Sequence, residues 1–144
     1  MIFRGTYDYS LDAKNRLTVP AKFRASLSDG VTLALGIERC IDLWPPAAFE
    51  QHVQTALSEM HPLSVEFEKF NRFYSANSFD TELDSAGRVM VPKPMLEHAG
   101  LQKEVVVTGA SSRLEVWDRA TWTQYNGALH RDVGQIRGSF GNAA

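Results

Sequence analysis

The stretch LDAKNRLTVPAKFR, residues 11–24, returns seventy-two residues later as LDSAGRVMVPKPML, residues 83–96. Leu11, Asp12, Arg16, Val19 and Pro20 reappear as Leu83, Asp84, Arg88, Val91 and Pro92. No other feature constrains the fold as strongly, because an internal repeat means that one structural unit was built twice. Each half of a 144-residue chain is near the size at which a core of its own becomes marginal. Two halves sharing one core escape that limit.

The repeated motif can be read locally. An Asp favours the first position of a type I turn, and Asn or Gly tolerates the left-handed backbone that closes it. Asp12 with Asn15, and Asp84 with Gly87, therefore predict two tight hairpin tips, each followed directly by an arginine. The Val-Pro step ends the second strand, and Pro suits the first turn of a helix. Short helices are expected over residues 21–27 and 93–99, the second stopped by Gly100. Apolar runs over 31–36 and 105–109 follow, then CIDLW and RLEVW, which place Trp44 and Trp117 at equivalent positions. Helices open near Phe49 and Trp122.

These signals divide the chain into a first copy (1–60), a linker helix region (61–78), a second copy (79–130) and a Gly-rich, aperiodic segment (131–144) expected as a flexible tail. Leu63, Phe67, Phe70 and Tyr74 form an apolar stripe at helical spacing. Core packing is the simpler expectation for it, and a subunit interface the alternative.

A search for catalysis finds no constellation. His52, His61, His98 and His130 share no metal-ligand spacing with one another or with Cys40, and there is no phosphate-binding glycine loop or nucleophile elbow. Asp12 and Asp84 each have an arginine four residues on, which keeps them ionised and suits a structural clamp better than acid–base work. No catalytic residue, metal, cofactor or small-molecule substrate is expected. Cys40 lies in an apolar strand and reads as a buried small hydrophobe. No apolar run approaches the length of a membrane span, and the opening MIFRGTYDYS lacks a signal-peptide core, which predicts a cytoplasmic chain.

The net charge of −2 argues against a polyanionic partner until its distribution is examined. Residues 1–27 carry +3 and the remainder −5. A local basic face is enough to attract nucleic acid. Arg16 at a hairpin tip can bind a guanine edge bidentately. Arg4, Lys14, Asn15, Lys22 and Arg24 join it as candidate DNA contacts, with Lys14, Lys22 and Arg24 converging on one face with Arg16 to neutralise phosphates. The second copy has Ala86, Pro94 and Leu96 where the first has Lys14, Lys22 and Arg24. Arg88 is therefore expected to pair with Asp84, as a motif residue alongside Gly87, while the first copy faces DNA.

A hairpin with Asp-x-x-Gly-Arg, a Val-Pro step and a short helix resembles the swapped-hairpin unit of AbrB- and SpoVT-type regulators. Two such copies, FRGTYDYSLDAKNRLTVPAKFR near the start, DSAGRVMVPKPMLEHAGL in the second half and LEVWDRATW beyond it, are similar to the MraZ family over residues 1 to about 130. The resemblance implies a mainly β fold with short helices (α+β), a tandem pseudo-two-fold swapped-hairpin β-barrel. It also implies a transcriptional regulator that binds double-stranded DNA at short direct repeats upstream of the division and cell-wall gene cluster, and a ring-shaped homo-oligomer associated with the nucleoid. Arg16 and Arg88 are the positions onto which the family's motif arginine falls. The alternative is a structural or protein-interaction ring without sequence-specific DNA binding.

Overall fold

The computed structural model describes residues 2–143, so Met1 of the first copy and Ala144 of the expected tail lie outside the described residues. The first copy supplies strands β1 (Thr6–Ser10), β2 (Arg16–Thr18), β3 (Val31–Leu35) and β4 (Ile41–Trp44). Helices α1 (Pro46–Ser58) and α2 (Val65–Ala76) follow. The second copy repeats the strand series as β5 (Ser78–Thr81), β6 (Arg88–Met90), β7 (Glu104–Gly109) and β8 (Leu114–Asp118). Helix α3 (Lys93–Ala99) lies between β6 and β7, and α4 (Arg119–Ala143) closes the chain.

Six strands form one antiparallel sheet in the order β1-β7-β8-β4-β3-β5, and β2 pairs with β6 in a separate ribbon. Exchanging the two copies maps this order onto itself, with β4 and β8 meeting at the pseudo-two-fold centre. The hairpins are swapped. β1 leaves β2 to pair with β7 of the other copy, and β5 leaves β6 to pair with β3. The strands do not close into the expected barrel, because β1 and β5 remain edges and the β2–β6 ribbon stands apart from the sheet. Pro20 and Pro92 follow soon after the ends of β2 and β6 and lack the N–H that a longer ladder needs.

Both copies contribute to one core. Phe3, Leu17, Phe23, Leu27, Leu33 and Ile41 from the first meet Val89, Met95, Val105, Val107, Leu114 and Val116 from the second. α3 ends where expected, with Gly100 at φ 60°. The other short helix is two consecutive 3-10 turns, Ala21–Phe23 and Ala25–Leu27, which bury Phe23 and Leu27.

The helices outside the sheet differ more from expectation. α2 starts on Ser64, whose hydroxyl accepts from the Phe67 N–H at 3.1 Å. Neither α1 nor α2 buries a residue, so the Phe-bearing stripe is not core. Phe49 and His52 instead rest on Trp44, with ring centroids 5.8 and 4.7 Å away. Trp122 and Tyr125 cover Trp117 in the same way, at 5.4 and 4.7 Å. Residues 131–143 continue α4 in place of a flexible tail. Leu129, Val133, Ile136 and Phe140 recur at spacings of four, three and four, an exposed apolar stripe along this part of the helix. Among the described residues, no helix is long and apolar enough to cross a membrane.

Candidate nucleic-acid interface

The two hairpin tips have the same construction. Asp12 Oδ1 accepts from the backbone N–H of Lys14 and of Arg16, both at 2.9 Å, and its Oδ2 accepts from Arg16 Nε at 2.7 Å. Asp84 Oδ1 accepts from the N–H of Ala86 and Arg88 at 2.9 Å, and Oδ2 from Arg88 Nε at 2.9 Å. Each turn closes on a left-handed residue, Asn15 at φ 57° and Gly87 at φ 75°. The backbone N–H of Arg16 and of Arg88, above all, holds the neighbouring aspartate below the usual carboxylate range. The clamp fixes the Nε edge of each guanidinium. Among the described residues the Nη groups donate no hydrogen bond, so the outer fork stays available.

The ribbon then brings the tips together. Arg16 lies opposite Met90, Leu17 opposite Val89, and Thr18 opposite Arg88. Two further backbone bonds extend the pairing, from Val91 N–H to Asn15 O and from Val19 N–H to Gly87 O, both 2.9 Å. Strand periodicity turns Leu17 and Val89 into the core, where neither is more than 1% exposed. Arg16, Thr18, Arg88 and Met90 form the outward face. An antiparallel two-stranded ribbon is one of the shapes that the DNA major groove admits.

The ribbon joins the two copies, and Arg88 pairs with Asp84 as expected. Arg88 stands on the same ribbon as Arg16, and its Nη1 approaches Asp12 Oδ2 at 3.9 Å. Arg24, assigned by its sequence position to the first copy's face, lies against Gly87 of the second hairpin and donates from Nε to Val19 O at 3.0 Å. The second tip, poor in lysine, thus takes a cation from the first copy.

The remaining candidates spread out. Lys14 and Asn15 are exposed in the first turn, next to the clamp. Lys22 is drawn onto aromatic faces, 5.0 Å from the Tyr7 ring centroid and 5.1 Å from that of Phe23. Arg4 is not at the tip. It adjoins Gly109 at the far end of β1, and the Tyr7 hydroxyl donates to its carbonyl. Thr18 and Met90 were not singled out from the sequence, although the alternation in RLTV and RVMV already sets them on the same face as the arginines.

A second cluster lies on the sheet. Asp42 and Glu115 are register partners across β4 and β8, and the donor atoms of Cys40, Asp42 and Glu115 lie within 4.8 Å of one another. Arg113 supplies the opposing charge there, 3.4 Å from Asp42 and 3.1 Å from Glu115, while its guanidinium lies 5.2 Å from the Trp44 ring centroid. Burial pushes the Cys40 thiol up and raises Asp42 to about 6. With a guanidinium already pairing both carboxylates, and the thiol held in its protonated form, the cluster suits a structural ion pair better than a metal site.

Comparison with known proteins agrees with the doubled architecture. A family model described as "MraZ protein, putative antitoxin-like" matches residues 2–71 and again 74–133. A protein of Clostridium acetobutylicum named transcriptional regulator MraZ is 33% identical over 125 residues, 87% of this chain and 87% of its own length. The protein of that name from Acetivibrio thermocellus is 33% identical over 126 residues, covering 88% and 87%. Its namesake in Heliobacterium modesticaldum is 33% identical over 125 residues, with 87% of each chain covered.

Proposed function

The chain belongs to the MraZ family, and on that premise we propose that it is a sequence-specific DNA-binding transcriptional regulator without enzymatic activity. Its site is the outward face of the β2–β6 ribbon. The observation that carries this reading is the pairing of Arg16 and Arg88 on one ribbon, each locked at Nε by its own aspartate. A clamped guanidinium loses little freedom on binding, and its fork matches the O6 and N7 acceptors of guanine. Lys14 and Arg24 flank the two tips as phosphate contacts, with Lys22 over the Tyr7 ring and Arg4 just before the start of β1.

The target is a set of short direct repeats in the promoter of the division and cell-wall gene cluster, the chain's own gene included. One ribbon offers few contacts and binds weakly. A homo-oligomeric ring places several ribbons on successive repeats, and avidity then exceeds single-site affinity by roughly 10² to 10⁴. The exposed apolar residues of the linker and α2 (Leu63, Val65 and Phe70) and of α4 (Val133, Ile136 and Phe140) supply the surface for such an assembly. The protein acts in the cytoplasm, at the nucleoid.

The same apolar surfaces favour the second reading, an assembly ring that does not read DNA. A gel-shift titration separates the two, using DNA from upstream of the chain's own gene and a scrambled duplex of equal length at two salt concentrations. The regulator prefers the natural DNA at both salts, and an assembly ring binds neither.

A further inference from the structure

The two copies differ on the ribbon's outward face at one pair of equivalent positions. Copy exchange relates Arg16 to Arg88, and Thr18 to Met90. The arginine pair is therefore symmetric, and the Thr–Met pair is not. In the register of the ribbon, Arg16 has Met90 as its cross-strand neighbour, whereas Arg88 has Thr18. One half presents a guanidinium beside a flexible thioether. The other presents a guanidinium beside a branched residue carrying a hydroxyl.

Met90 is 58% exposed, so its side chain contributes little to the core below, which Val89 and Val91 fill at 1% and 2%. It is an apolar group held out to solvent between two arginines. In the major groove the apolar group that such a side chain can meet is the C5-methyl of thymine. Thr18 can accept or donate a hydrogen bond to several bases, and its single methyl reaches less far from the strand than the Met90 thioether.

Resting on the DNA-binding reading above, we infer that Met90 is a specificity-determining residue: it contacts a thymine methyl next to the guanine read by Arg16, and with Thr18 it makes the ribbon read DNA in one direction. A two-fold ribbon prefers a palindrome. A ribbon with this single break prefers an asymmetric site, and asymmetric sites are what a direct repeat is made of. The flanks support the same polarity, with Lys14 in the first tip and Ala86 at its equivalent in the second.

The test is selection of bound sequences from a randomised duplex library by the full-length protein. The variants are Met90→Thr, which makes the outward face symmetric, and Met90→Leu, which keeps it apolar. The wild type and Met90→Leu are expected to recover an asymmetric site with one preferred thymine. Met90→Thr is expected to lose that preference and drift toward a palindrome. Replacing the preferred thymine by uracil, which deletes only the methyl, should weaken wild-type binding about 4-fold, the worth of one buried methyl group, and leave Met90→Thr unchanged. Equal melting temperatures across the three proteins are expected from the exposure of residue 90. If uracil at every thymine of the selected site leaves wild-type affinity unaltered, or Met90→Thr keeps the asymmetric site, this inference is overturned while the regulator reading stands. If the wild type selects no sequence, both fall.

Discussion

Arg88 Nη1 of the second hairpin lies 3.9 Å from Asp12 Oδ2 of the first, so one carboxylate faces the arginines of both copies. The two tips are therefore a single electrostatic unit, in which Asp12 bonds Arg16 at 2.7 Å and Asp84 bonds Arg88 at 2.9 Å. The two aspartates balance the charge of the two arginines, so the net positive charge at the tips comes from Lys14 and Arg24.

This geometry predicts that Arg16→Ala and Arg88→Ala both impair specific DNA binding. Each loses one bidentate contact, worth about 1–3 kcal/mol or roughly 5- to 150-fold in affinity, multiplied where several subunits bind together. Lys14→Ala lowers affinity for all duplexes alike and flattens the salt slope. Gel-shift titrations at two salt concentrations check this. An Arg88→Ala protein that binds as well as wild type would sink the paired-arginine site.

The carboxylates predict opposing pH effects. Asp12 and Asp84 are held below the ordinary value of 3.8, chiefly by the backbone N–H of Arg16 and Arg88. They add stability above that pH, and it is lost as pH falls through their folded values. Asp42 is raised from 3.8 to about 6, chiefly by burial. Between those values the folded chain retains a proton that the unfolded chain has released, so stability falls as pH rises from about 4 to 6, by about 3 kcal/mol for a rise of that size. In melting curves the stability difference between Asp42→Asn and wild type should shift in the variant's favour as pH rises from about 4 to 7. A pH-independent difference would contradict this account.

Gly87 is predicted to resist substitution for two reasons. Its φ of 75° is costly for alanine, by about 1–2 kcal/mol, and a Cβ there would strike the Arg24 guanidinium. Gly87→Ala should lower the melting temperature and weaken DNA binding by displacing Arg24. Asn15→Gly, at the equivalent position with φ 57°, should preserve stability. Equal melting of Gly87→Ala and wild type would remove the strained-turn argument.

The apolar surfaces of α2 and α4 predict that the chain sediments well above its 16.1 kDa monomer mass. Phe70→Glu and Ile136→Glu, at exposed positions, should shift that population toward monomer while the circular dichroism spectrum of the fold is retained. Sedimentation velocity at micromolar concentration is the measurement, and a monomeric wild type would refute a ring.

The local parts of this protein were legible in the residues themselves. Asp12 to Arg16 and Asp84 to Arg88 specify their turns within five residues, because one carboxylate bonds the next backbone N–H groups and Asn15 or Gly87 accepts the left-handed bend. Lys93–Ala99 and its Gly100 stop were readable for the same reason. Tertiary structure decided what these pieces join. Thr6 pairs with Thr108, and Thr18 with Arg88, contacts chosen by burying a shared core and invisible to any local preference. That pairing moved Arg24 to Gly87, placed Arg88 beside Asp12, and turned Met90 outward on a face it shares with Arg16. The basic count of each copy suggested one reading tip. Strand swapping made a single ribbon from both, because the outward face is set by register across the copies and not by the charge of either segment alone.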